Sequence, residues 1–193
     1  MRIYGTTKGK NGEVMEGSWI AVKNEEFETI YETVSDENGK YELELPGGHY
    51  PFLLAVRDYA VENLEYWCQN INLTKDLELN VRIDSIEIYG LHGFRVKGGF
   101  KQLMVYFRPM SLKKQQKGEK DLCPEIKKLR VLVDGQEAKV LLTNRVQEQV
   151  EEGTLGAYLV QVDMTGDSYQ WNRLDVEIWD DEENYGFATI FED

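Results

Sequence analysis

Apolar residues along this chain recur at every second position in short runs, and almost nowhere at the three-and-four spacing of a helix. A period of two is the signature of a strand with one face in a core, because successive side chains point to opposite sides. In YELELP, Tyr41, Leu43 and Leu45 share one face, and Glu42 and Glu44 share the other. YPFLLAV reads as an inward set of Tyr50, Phe52, Leu54 and Val56, and DLELNVRI as Leu77, Leu79, Val81 and Ile83. SIEIYG, LMVYF, LRVLVDGQEAKVLL, AYLVQVDM, LDVEIW and GFATIF continue the pattern. Gly, Asn and Asp punctuate the runs, as in β-sandwiches. Asp134-Gly135, between Val131/Val133 and Val140/Leu142, predicts a tight hairpin, since both turn positions favour positive φ. The 193 residues, 41% of them hydrophobic, suffice for one large domain or two small ones. The expectation is an all-β protein of two β-sandwich domains in tandem, residues 1–84 and 85–193. No Pro-, Gly- or Ser-rich linker separates them, so the connection should be short and stiff.

The stretch TVSDENGKYELELPGGHYPF, residues 33–52, places two turns around one short strand. Asn38-Gly39 offers the left-handed positions of a tight turn, Asp36 can cap it, and Pro46-Gly47-Gly48 forces the next reversal. These polar residues therefore serve the turn.

Five pieces in this half occur in a familiar order: Gly5 with Gly12; Gly17-Ser18-Trp19-Ile20-Ala21-Val22; Val34-Ser35-Asp36-Glu37-Asn38-Gly39-Lys40-Tyr41; Leu45-Pro46-Gly47-Gly48-His49-Tyr50; and a following strand that ends in Asp58-Tyr59. Residues 1–84 thereby resemble the carboxypeptidase regulatory-like domain, a transthyretin-like (prealbumin-like) sandwich, with Asp58-Tyr59 in place of that family's Gly-Tyr. The resemblance implies a non-catalytic module with an accessory, spacing or binding role. Residues 85–193 are similar only in a general way to immunoglobulin-like sandwiches.

The formal net charge is −13, which disfavours binding to nucleic-acid phosphates and to anionic membrane surfaces and favours basic or neutral partners. No apolar run approaches the length of a membrane-spanning helix. The N-terminal MRIYGTTKGKNGEV has no apolar signal-peptide region, so a cytoplasmic location is expected unless a leader has been removed. Cys68 and Cys123 are far apart and unpatterned, and are expected to be free and buried. Residues 111–130 carry seven basic and three acidic side chains; they read as a long solvated loop, or a docking surface for an acidic partner, with a short helical turn at Pro124-Glu125.

Catalytic patterns are missing. His49 and His92 begin no His-x-x-Glu, and there is no nucleophile elbow, phosphate loop or dinucleotide fingerprint. Cys68, between Trp67 and Gln69, reads as a small buried hydrophobe. A calcium loop beginning at Asp181 would place Glu183, Gly186 and Glu192 correctly but Tyr185 wrongly, and between strands rather than helices. No enzyme, metal or cofactor is expected. The aromatics are more telling: Trp19 alternates against Ile20 and Val22, and Trp179 against Leu174, Val176 and Ile178, so both indoles should face outward. Trp19, Trp67 and Trp179 are the candidate binding residues. The partner is either another protein, bound by a non-catalytic scaffold through outer sheet faces or edges, or a glycan stacked on exposed indoles.

Overall fold

The computed structural model describes residues 1–99, 101–151, 153–164 and 170–192. In the first half lie β1 (Arg2–Lys8), β2 (Trp19–Lys23), β3 (Thr29–Val34), β4 (Lys40–Glu44), β5 (Gly48–Val56), β6 (Tyr66–Leu73), β7 (Leu77–Glu78) and β8 (Val81–Arg82). In the second lie β9 (Ile86–Phe94), β10 (Gln102–Ser111), α1 (Leu112–Gln116), β11 (Ile126–Val133), β12 (Gln136–Glu137), β13 (Val140–Val150), β14 (Gly153–Asp163), β15 (Arg173–Asp180) and β16 (Tyr185–Phe191).

The fold is all-β and consists of two sandwiches. In the first, β4 pairs with β1, and β7 and β8 run parallel to β1. This small sheet encloses a core against β6-β5-β2-β3, built from Ile3, Ile20, Val22, Tyr41, Leu43, Leu53, Tyr66, Cys68, Leu79 and their neighbours. In the second, β13-β14-β10-β9 packs over β11-β15-β16 around Ile88, Val105, Phe107, Val160, Leu174, Val176 and Ile178.

The halves share a strand. β16 pairs antiparallel with β15 and parallel with β6, through Ala188↔Trp67 and Ile190↔Gln69, so one sheet runs unbroken from β11 to β3. Its alternate side chains serve different cores: Ala188 and Ile190 the second, Phe187 and Phe191 the first. Polar groups lock the seam. The Tyr66 hydroxyl donates to Thr189 Oγ1 (2.8 Å), and Thr189 donates to Asp175 Oδ1 (2.6 Å), whose charge is met by Arg173 Nε at 2.9 Å. The Tyr185 hydroxyl donates to Glu177 (2.7 Å), which also holds Arg130, and the Tyr185 amide donates to Asp84 (2.9 Å). Such pairing lets the carboxylates of Asp175 and Glu177 be buried.

Four local expectations change. β6 carries Asn70 in the left-handed region (φ 63°), and around it the inward set of β5 switches face. Tyr50 stays in the core, but Leu53 and Ala55 then take the inner positions, and Phe52, Leu54 and Val56 lie on the opposite side. In the 36–39 turn only Gly39 has positive φ (72°); Asn38 does not, because the Asp36 carboxylate, accepting from the Asn38 and Lys40 amides, holds a wider turn. Asp134 and Gly135 do form the expected turn (φ 50° and 79°), yet its return strand is only β12, and Val140 and Leu142 belong to β13, paired with β14. The helical turn of the 111–130 segment is α1, capped by the Ser111 hydroxyl, not Pro124-Glu125, which leads into β11.

Candidate functional site

Along β6, β5, β2 and β3 the shared sheet turns one face away from the first core, and on that face Ala21, Leu54 and Val56 are buried while Trp19, Phe52 and Trp67 are half-buried. Trp67 pairs with Leu54, Leu54 with Ala21, and Phe52 with Lys23, so Trp67, Phe52, Lys23 and Trp19 all lie on that face. Trp179 sits on the reverse side, because it alternates with the core residue Ile178 and pairs with Tyr185. Thus the structure brings Trp19 and Trp67 together and leaves Trp179 apart. All three are half-buried. The ammonium of Lys128 lies 4.3 Å from the Trp179 ring centre and the Tyr185 ring 5.0 Å away, while Trp19 donates its indole N–H to Glu32 (2.8 Å).

A strip of rings runs from here across the junction. Lys23 Nζ lies 5.7 Å from the centre of Trp19 and 4.5 Å from that of Phe27. Phe27 stacks on Trp67 (5.6 Å, 19° between planes) and meets Phe52 edge-on at 5.8 Å. Trp67 reaches Tyr89 of β9 at 6.4 Å, and the Arg108 guanidinium of β10 covers Tyr89 at 4.4 Å. Arg108 pairs with Glu148 of β13 (3.3 Å), which also accepts from the Tyr106 hydroxyl (2.5 Å). The strip thereby crosses from the first sandwich to the second on a single outer surface.

Phe27 is its most unusual member. It lies in NEEFE, between acidic residues, with φ of 64°. A bulky residue in the left-handed region is strained by roughly 1–2 kcal/mol. The Asn24 side chain accepts from the Glu28 amide (2.8 Å) and, with the Phe27 amide bonded to Asn24 O, fixes the turn. The strain holds a ring that is 44% exposed against Trp67. The mark it leaves in the sequence is an isolated aromatic in an acidic run, which strand alternation does not pick out. Tyr89, Arg108 and Phe52 had no comparable signal, since each reads as part of an ordinary strand.

Beneath the rings lies Glu87, 3% exposed. Its Oε1 accepts from the Trp67 indole N–H (3.0 Å), and its Oε2 has no partner among the described residues. Burial, and then the charge of Glu65, push its carboxyl up to about 7. Burial also raises Glu65, against the pull of Lys23. Tyr106 is pushed up to about 12 by burial and by its bond to Glu148.

The other candidates lie elsewhere. Cys68 and Cys123 are free and buried, and burial drives the Cys68 thiol far up and the Cys123 thiol up to about 11, so neither supplies thiolate. His49 Nε2 lies 2.6 Å from Asn70 Oδ1, and His92 stacks on Phe94. Among the described residues no three His, Cys, Asp or Glu side chains are placed to hold a metal ion. Asp181 and Glu183 sit in the turn after β15, while Glu192 lies beyond the far end of β16, so no calcium loop closes. Asp180, at the base of that turn, accepts from the Glu182 and Asn184 amides.

No family model and no curated protein matches the chain. Among solved structures it is similar to the major pilin subunit BcpA of Bacillus cereus, with a TM-score of 0.34 and 12% identity over 98% of this chain and 67% of that one. It is similar to a DUF3823 family protein from Bacteroides ovatus at a TM-score of 0.33 and 10% identity, over 98% of both chains. A third similarity is to the major pilin SpaD of Corynebacterium diphtheriae, at 0.32 and 11%, over 98% of this chain and 63% of that one. At these scores the likeness carries no argument about family or activity, and a functional reading rests on the strip itself.

Proposed function

We propose that this is a non-catalytic interaction protein that binds another protein through the outer face carrying Trp19, Phe27, Phe52, Trp67, Tyr89 and Arg108. The observation that carries the reading is Phe27, strained into the left-handed region to hold a partly exposed ring on Trp67. Strain at an exposed aromatic adds nothing to a core, but it pre-organises a contact. Trp, Tyr, Phe and Arg are the residues that dominate protein interfaces. The accessory role implied by the carboxypeptidase regulatory-like resemblance points the same way, and we take residues 1–84 and 85–193 as the two units that the strip spans.

A glycan platform, the other reading, needs an indole with a free face. Phe27 stacks on Trp67 and Lys128 lies over Trp179, which favours a protein partner. The test is affinity capture from the native lysate with wild type and with Phe27→Glu. At an exposed turn this substitution leaves both cores intact. A partner retained by wild type and lost by Phe27→Glu at unchanged thermal stability is expected. Equal capture by both would move binding off the strip, and binding on a glycan array that Phe27→Glu leaves unchanged would favour the sugar.

A further inference from the structure

β13 ends the long path of hydrogen-bonded strands: among the described residues it pairs with β14 on one side and with no strand on the other. It is eleven residues long, VLLTNRVQEQV, with no Pro, Gly or Lys; its inward-facing charge, Arg145, is tied to Asp121 and Glu125 of its own chain, and its irregularity lies at one end, between Val140 and Leu142. Native sheets blunt their edges with prolines, lysines or very short strands, and a long unblunted edge is a template for another strand. The edge at the other end of the path, β3, has six residues, and its Glu32 is committed to Trp19.

We infer that β13 pairs antiparallel with β13 of a second copy of this chain, in the register centred on Val146. Charge and pattern single out this occupant. The chain carries −13 overall, so two copies repel over most of their surfaces, yet β13 holds one Arg and one Glu, both already paired within their own chain. The register centred on Val146 sets Leu142 opposite Val150′, Asn144 opposite Glu148′ and Val146 opposite itself on the outer face. On the inner face it sets Thr143 opposite Gln149′ and Arg145 opposite Gln147′. No like charges meet, nine residues pair, and the irregularity between Val140 and Leu142 lies outside the ladder. Centring on Arg145 would instead oppose two guanidinium groups. Leu142, 49% exposed as a monomer, gains an apolar neighbour. A two-fold axis normal to the sheet keeps the outer face of both copies on one side. Both ring strips, which end at Glu148, then face the same way, and a partner with two matching sites would bind with avidity.

Sedimentation velocity across a concentration series, with two cysteine variants, tests this. Val146→Cys brings two thiols together at the axis and should cross-link under mild oxidation. Asn144→Cys, offset by about 13 Å in this register, should not. Wild type should show concentration-dependent dimer, and Val146→Lys, which opposes two ammonium groups, should weaken it at least tenfold while keeping the wild-type circular dichroism spectrum. A wild type that stays monomeric throughout overturns the inference, as does a dimer in which Asn144→Cys cross-links as well as Val146→Cys. If Val146→Lys does not fold, the cysteine pair still decides.

Discussion

Replacing Glu87 by Gln tests the electrostatics of the junction. In the folded chain this carboxyl titrates at about 7 instead of 4.5, because it is buried and Glu65 lies near. Its folded value is raised, so the folded state holds a proton that the unfolded chain has released between those two values. Stability from this group is therefore fully present below the unfolded value and is lost as pH rises through about 7. At roughly 1.4 kcal/mol per tenfold change in proton affinity, the ionised form costs the fold about 3 kcal/mol at alkaline pH. Gln keeps an oxygen for the Trp67 indole N–H and cannot ionise. Its amide N–H₂ inherits the unpartnered position of Oε2, at a cost of about 1 kcal/mol. Above pH 8 the variant should gain about 2 kcal/mol, or about 4–8 °C in Tm for a chain of this size. Near pH 5 it should equal or fall slightly below wild type. Thermal melts followed by circular dichroism between pH 5 and 9 read this directly. Curves that stay parallel over the whole range would show that Glu87 titrates as an ordinary surface carboxyl, and would refute its burial beneath the strip.

Other expectations follow from the packing. A methyl group on Gly5 would meet the backbone oxygen of Leu79 at 2.1 Å, an atom that cannot swing away, so Gly5→Ala should lose about 3 kcal/mol in urea denaturation. Thr189→Val keeps the shape but leaves the Tyr66 hydroxyl without its acceptor and takes one donor from Asp175, which keeps Arg173; a loss of about 1–3 kcal/mol is expected by the same assay, and a loss below about 0.5 kcal/mol would show that the seam carries no load. Both thiols should be inert to Ellman's reagent in the native protein and react together on unfolding. Residues 1–84 expressed alone lose Phe187, Phe191 and the β16 partner of β6, so the fragment should melt far below the full chain or aggregate through the opened β6 edge.

Much of the architecture follows from local pattern. Tyr41, Leu43 and Leu45 are buried and Glu42 and Glu44 exposed, because a strand covered on one face must alternate, and alternation is written in consecutive residues. Leu79, Val81 and Ile83 are buried for the same reason, and Asp134-Gly135 turns because its backbone preferences are its own. Alternation fails where a strand is covered on both faces. Ile20, Ala21 and Val22 are all buried, as are Leu53 through Val56, and there the sequence no longer says which side is which. Beside the left-handed Asn70 the inward set of β5 switches face, and Phe52 lies in the strip instead of the core. Only the tertiary structure decided that β16 would serve two sandwiches, that Trp179 would face away from Trp19, and that Glu87 would lie under Trp67. Each depends on pairing between residues about 20 to 120 positions apart, set by the balance of contacts over the whole chain and not by the propensity of any one segment.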